Sequence, residues 1–217
     1  MRSYYTGKHA VQYNQTWHAF LQKTLQAAYA AIDVEALKCC EQSRQRPLRI
    51  LDAACGTGLF LEQLAHLFPF AQLYGIDASE EMLAQARELL QGAANIHLQS
   101  ARLSGGATLP FPASFFDLIT CTNALHYFQN PTAVLRSFRD MLIEQGQLVL
   151  EDYELRGFPF PWKYLEWAIR LADPEHQSLF SQQEAQVLCQ QAGFHVVGAQ
   201  TFSIDLFCQG WVVRART

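Results

Sequence analysis

Two carboxylates and a histidine stand where apolar runs give way to turns. Asp52 ends the run Ile50-Leu51-Asp52 and leads into Ala53-Ala54-Cys55-Gly56-Thr57-Gly58. Asp77 ends Leu73-Tyr74-Gly75-Ile76-Asp77, nineteen residues past Gly58. A carboxylate at a strand end can accept two hydroxyl donors at once, which suits a ribose diol. A glycine turn entering a helix offers backbone N–H groups and the positive end of the helix dipole. One acid at each of two strand ends points to a nucleoside ligand, which need not be a dinucleotide. His126, in Asn123-Ala124-Leu125-His126-Tyr127-Phe128, follows a third apolar run. With an ordinary pKa of about 6.5, an imidazole can take a proton from a hydroxyl or an activated carbon near neutral pH. Its plainer alternative is a hydrogen bond within the turn.

The dinucleotide fingerprint fails in detail. A G-x-G-x-x-G started at Gly56 needs a third glycine at position 61, which is Leu61. No Gly-Lys-Ser/Thr follows, so the Walker A phosphate loop is absent as well.

The pattern instead resembles the class I S-adenosylmethionine-dependent methyltransferases, whose first motif is an acid followed by Gly-x-Gly-x-Gly. Asp52, Gly56 and Gly58 match it, and Ala54 stands where the first glycine is usual. Asp77-Ala78-Ser79-Glu80-Glu81-Met82 resembles the second motif. Leu109–Pro112 with Ser114–Asp117 resembles the approach to the fourth strand, Asn123–Phe128 the turn after it, and Gly146–Glu151 the fifth strand. These motifs cover roughly residues 48 to 153 in the family's order. The nearest subgroup is the small-molecule methyltransferases related to quinone-biosynthesis enzymes.

The resemblance implies S-adenosylmethionine as cofactor and a small, apolar or aromatic methyl acceptor. It implies Asp52 at the glycine loop or the methionine ammonium, Asp77 and Ala78 at the ribose, and Met82 either on adenine or in a helix's core stripe. Where relatives carry an acid for the adenine amino group, this chain reads Gln99-Ser100-Ala101-Arg102, leaving backbone groups of Ala101 and Arg102 to substitute. Asn123 and His126 fall at the methionine end and the acceptor. Tyr4, Tyr5 and His9 either fold over the cofactor or merely dock. Two other readings stay open: a non-catalytic S-adenosylmethionine-fold protein that binds a partner, and a nicotinamide-dependent oxidoreductase.

The elements that must position these residues follow from periodicity. Tyr13, Trp17, Phe20, Leu21, Leu25 and Ala28 recur at helical spacing, so residues 1–47 form an N-terminal helical segment with a polar linker at Glu41–Pro47 and Trp17 in the core. Strand runs at Leu48–Asp52, Leu73–Asp77, Ile96–Gln99, Asp117–Thr122 and Gln147–Asp152 alternate with apolar helical stripes. That alternation predicts a parallel sheet covered on both faces. Ser181-x-x-Glu184 is a capping box opening a helix that Gly193 ends, before strand-like runs at Phe194–Ser203 and Phe207–Arg214. With the closing hairpin matched to the family's sixth and seventh strands, the resemblance implies an α/β fold: one doubly wound, Rossmann-like, mostly parallel seven-stranded sheet with an antiparallel last strand. Residues 154–180, with Phe158, Phe160, Trp162, Tyr164 and Trp167, are expected to form a helical lid over the site.

Bulk properties narrow the partners. With 217 residues the chain suits one domain, and a net charge of -4 provides no basic field for nucleic acid. No apolar run approaches the ~20 residues of a membrane span, and Met1–Tyr5 lacks a signal peptide's apolar core. Six scattered cysteines without a C-x-x-C pair fit reduced thiols in a cytoplasm, and no metal site is visible. Cys121 falls where RNA cytosine methyltransferases carry a nucleophile, but without their flanking proline it reads as a strand cysteine. Asn123-Ala124-Leu125-His126 is not the Asn-Pro-Pro-aromatic turn of DNA adenine methyltransferases.

Overall fold

The structure, a computed structural model, describes residues 8–104, 109–156 and 176–217, with side chains from Gln12 onward. The expected lid around Phe158–Trp167, together with Tyr4, Tyr5 and the His9 side chain, lies outside the described residues.

Seven strands form one sheet: β1 (Arg49–Ala53), β2 (Gln72–Asp77), β3 (Ile96–Ser100), β4 (Phe116–Thr122), β5 (Leu142–Leu155), β6 (His195–Ser203) and β7 (Cys208–Arg216). Their order is β3-β2-β1-β4-β5-β7-β6. Neighbours from β3 to β5 are parallel, while β7 lies antiparallel to both β5 and β6. The chain winds outward from β1 through β2 to β3, then crosses back to β4. That reversal opens a crevice at the carboxyl ends of β1 and β4, the ligand position in doubly wound sheets.

Alternate residues of each inner strand feed the two faces. Ile50 joins an apolar layer with Leu21, Leu25, Leu61 and Leu64; Leu51 joins the opposite layer with Leu135, Phe138 and Cys189. The first layer is closed by α2 (His18–Ala31), α3 (Val34–Arg44) and α4 (Leu59–Leu67). The second is closed by α6 (Pro131–Met141) and α7 (Gln182–Gln191). Helix α5 (Glu80–Leu89) follows β2, and α1 (Lys8–Thr16) precedes α2.

The N-terminal segment is three helices, not one helix and a linker. Helical pairing runs through Glu41 to Arg44, because the Asp33 side chain caps α3 at the Ala36 N–H and the chain leaves the helix only at Gln45, with φ 52°. Only Leu37 of α3 is buried, so its apolar periodicity is faint in the sequence. Trp17 interrupts the expected single helix and is 45 % exposed, not core. At the other end the Ser181–Glu184 capping box forms, and Gly193 takes φ 91° just past α7.

Candidate functional site

The turn after β1 is built from left-handed residues. Ala54, Gly56 and Gly58 have φ of 61°, 52° and 83°. Gly58 caps α4, and a Cβ there would sit 3.1 Å from the Ala86 Cβ of α5, so its hydrogen lets two helices meet. Ala54 adopts a conformation that costs an L-residue of this type roughly 1 kcal/mol.

Asp77 holds this turn. Its Oδ2 accepts the Gly56 N–H at 2.9 Å and its Oδ1 the Ser79 N–H at 2.8 Å. A carboxylate oxygen can accept more than one donor, so the same group can hold a turn and take part in a ligand site. The Ser79 side chain in turn accepts the Met82 N–H and caps α5.

Beside Asp77 lies a cavity of about 480 Å³ at the carboxyl edge of the sheet. Ala54, Asp77, Ala78, Met82, Ala101, Arg102 and Asn123 line it, arriving from the ends of β1, β2, β3 and β4. Met82 is both wall and core: it is 4 % exposed, and its Cε lies 3.6 Å from where a Cβ on Gly56 would stand. The Ala101 N–H is committed to the Asp77 carbonyl at 2.9 Å, and the Arg102 carbonyl accepts from Ser104. Those two backbone groups are therefore engaged within the chain.

Asp52, Gly56 and Gly58 are not in the wall. Asp52 is 1 % exposed and accepts the Thr120 hydroxyl at 2.7 Å. Burial pushes its carboxyl up to about 7, the Thr120 hydrogen bond opposes that, and the charge of Asp77 adds to it. The glycine turn is held by Asp77; Asp52, which the resemblance implied either there or at the methionine ammonium, bonds to Thr120.

His126 lies in a 3-10 turn, Leu125–Tyr127, and is buried. Its Nδ1 is 2.8 and 2.9 Å from the two Asp152 oxygens, and its backbone N–H donates to Asp152 Oδ2 at 3.0 Å. The His126 carbonyl accepts from Gln177 and Ser178 N–H. His126 itself is not in the wall, but its neighbours Tyr127 and Gln177 are. The rings of Tyr127, Tyr153 and His176 lie 4.0, 5.2 and 5.2 Å from its own.

Sequence reasoning missed Tyr13 as a wall residue, since it fitted the apolar stripe of its helix. Burial raises its phenol, and the charges of Asp77, Glu151 and Asp152 add to that. Asn14, next to it, accepts the Thr57 hydroxyl at 2.7 Å and straps α1 to the glycine turn. Glu151 was missed too. It is fully buried, and burial followed by the neighbouring Asp152 holds its carboxyl well above the ordinary range. Cys121 is fully buried and its thiol is pushed well up by that burial, so it is an inert strand residue. Among the described residues no cluster of His, Cys, Asp or Glu could hold a metal ion.

Residues 18–199 match a family model described as "Methyltransferase domain". The chain is 28 % identical over 174 residues to an uncharacterized methyltransferase, YcgJ, of Bacillus subtilis, covering 78 % of this chain and 66 % of that one. It is 35 % identical over 103 residues to a malonyl-[acyl-carrier protein] O-methyltransferase of Legionella pneumophila, covering 48 % of this chain and 35 % of that one. The chain thus spans from about a third to just under two thirds of these relatives' lengths. The fold is similar to that of an S-adenosylmethionine dependent methyltransferase from Mesorhizobium loti, with a TM-score of 0.67, 22 % identity, and coverage of 88 % of this chain and 96 % of that one.

Proposed function

The chain belongs to the methyltransferase-domain family, and on that premise we propose that it binds S-adenosylmethionine in the 480 Å³ cavity and methylates a small molecule. The observation that carries this reading is Asp77: one carboxylate that fixes the glycine turn and also faces a cavity of the volume small ligands occupy.

The cofactor supplies a methyl group on a sulfonium, ready for in-line substitution. The chain's own part is alignment in a site from which water is kept out. Asp77 accepts the ribose hydroxyls; Met82 and Ala101 flank the adenine; Ala54, Asn123 and Ala124 bound the methionine end. Tyr13, strapped down by the Asn14–Thr57 hydrogen bond, closes the cavity from the N-terminal side. Tyr127 and Phe128 offer aromatic surface to an acceptor. Where the acceptor carries a proton, His126 removes it, with Asp152 fixing the imidazole.

No described helix is long and apolar enough to cross a membrane, and the net charge of -4 provides no overall basic field for a nucleic acid backbone. All six cysteines are free, which fits a reducing cytoplasm. Isothermal titration tests the reading. S-adenosylmethionine and S-adenosylhomocysteine bind and NAD does not; if neither sulfur compound binds, the fold serves a partner-binding role instead.

A further inference from the structure

Four arginines gather at the amino edge of the sheet, opposite the edge that carries the 480 Å³ cavity. Arg46 and Arg44 stand at Asp117 of β4, with nitrogen–oxygen distances of 2.7 and 4.0 Å. Arg216 and Arg214 of β7 stand at Asp33, at 3.0 and 3.8 Å. Four guanidinium groups thus share two carboxylates. Asp117 is also fully engaged, since it accepts both Arg46 nitrogens, the Arg49 N–H and the Cys40 thiol.

The two arginines with donors to spare line one cavity, of about 220 Å³. Arg44 reaches Asp117 only as a 4.0 Å ion pair, and Arg216 makes one hydrogen bond, from Nη2 to Asp33 Oδ2 at 3.0 Å. A guanidinium carries five N–H donors, so most of theirs are uncommitted. Both side chains keep reachable surface, 36 % exposed for Arg44 and 28 % for Arg216. Glu144, the second acid of the wall, is exposed and forms no ion pair with either arginine. Buried Leu37 and Ile143 supply an apolar side to the wall, against which the unspent positive charge acts more strongly than in open water. Paired oxygens on one centre are the natural complement of free guanidinium donors. The cavity is below the size that holds a drug-sized ligand, so its guest is small.

We propose that Arg44 and Arg216 form a binding site for a small oxyanion, a carboxylate or phosphate of a few heavy atoms. The site is separate from the cofactor cavity: Asp117 and the wall residue Asn123 lie at opposite ends of β4, roughly 20 Å apart at ~3.3 Å per residue. It stands whether or not that cavity holds S-adenosylmethionine. One anion takes donors from α3 and from β7 together, ties the N-terminal helices to the sheet, and stabilises the folded chain by mass action.

Inorganic phosphate and succinate are the probes, each titrated by calorimetry at an ionic strength held constant with sodium chloride. Wild-type protein should bind at least one of them, one per chain, with a rise in melting temperature; which of the two binds separates phosphate from carboxylate chemistry. Arg44→Gln should weaken that binding by about tenfold or more, the cost of a lost charge-assisted bond. If Arg44→Gln does not fold, Gln145→Glu adds a repelling charge at an exposed wall position and must weaken binding too. Arg102→Gln, in the other cavity, should leave the affinity within about twofold, as should saturation with S-adenosylhomocysteine. Absence of binding by both anions overturns the site. So does an anion affinity that falls with Arg102→Gln and holds with Arg44→Gln, because the anion would then occupy the cofactor cavity.

Discussion

Asp77 Oδ2 accepts the Gly56 N–H at 2.9 Å, so the acid that ends β2 holds the turn that follows β1. The same carboxylate faces the cavity, and scaffold and ligand contact are thereby joined in one side chain. Asp77→Ala should abolish the rise in melting temperature that S-adenosylhomocysteine gives the wild type, since bonds to a charged acceptor contribute ~1.5–3 kcal/mol each. The ligand-free variant should also melt lower, because the Gly56 and Ser79 N–H groups lose their acceptor. Scanning calorimetry with and without ligand separates the two effects. A full thermal shift in the variant would remove Asp77 from the ribose.

Ala101 is half-buried in the cavity wall, with its backbone N–H tied to the Asp77 carbonyl. Ala101→Asp supplies the acid that relatives present to an adenine amino group without disturbing that tie. Affinity for S-adenosylhomocysteine should tighten or hold level. A loss beyond about tenfold, ~1.4 kcal/mol, in a folded variant means adenine is held from another side.

Asp52 makes a pH prediction. Its folded pKa is pushed up to about 7, chiefly by burial, against an ordinary value near ~3.9 in the unfolded chain. An acid raised on folding stabilises fully below its unfolded pKa, and that contribution is lost as pH rises through the folded value. Stability should fall between about pH 4 and pH 7, by at most ~1.4 kcal/mol per pH unit from this group, and then level off. Asp52→Asn keeps an acceptor for Thr120 and removes the titration. Urea melts across this range should show the variant gaining on the wild type up to pH 7; parallel curves would mean the group does not titrate there.

The sheet was legible because each inner strand is a short apolar run closed by a turn, and each covering helix carries a stripe facing it. Asp77 and the glycine turn were legible because their chemistry is local in sequence. Tyr13 and Glu151 were not. Both enter the neighbourhood of the site through packing of the N-terminal helices against β5, contacts between residues more than a hundred positions apart. A tyrosine in an apolar stripe and an acid in a strand look alike whether they face a ligand or fill space. Helix α3 was missed for a simpler reason: one buried leucine leaves almost no periodicity to read.

His126 and Asp152 bring the catalytic question to a measurable form. Both Asp152 oxygens lie within 2.9 Å of Nδ1, and one also accepts the His126 backbone N–H at 3.0 Å. A carboxylate in that place holds the proton on Nδ1 and leaves Nε2 with its lone pair, the tautomer a general base requires. The arrangement is stiff, because the His126 carbonyl also accepts from Gln177 and Ser178. Nitrogen-15 spectra of the neutral ring should show Nδ1–H in the wild type. Asp152→Asn can present its amide hydrogens to Nδ1, and the spectrum should then shift toward Nε2–H. Methyl transfer to an acceptor that must lose a proton should fall about 10²-fold or more in the same variant, with S-adenosylhomocysteine affinity nearly unchanged. An altered tautomer with an unaltered rate would leave the pair as a brace for the 3-10 turn, and the proton would have to leave by another route.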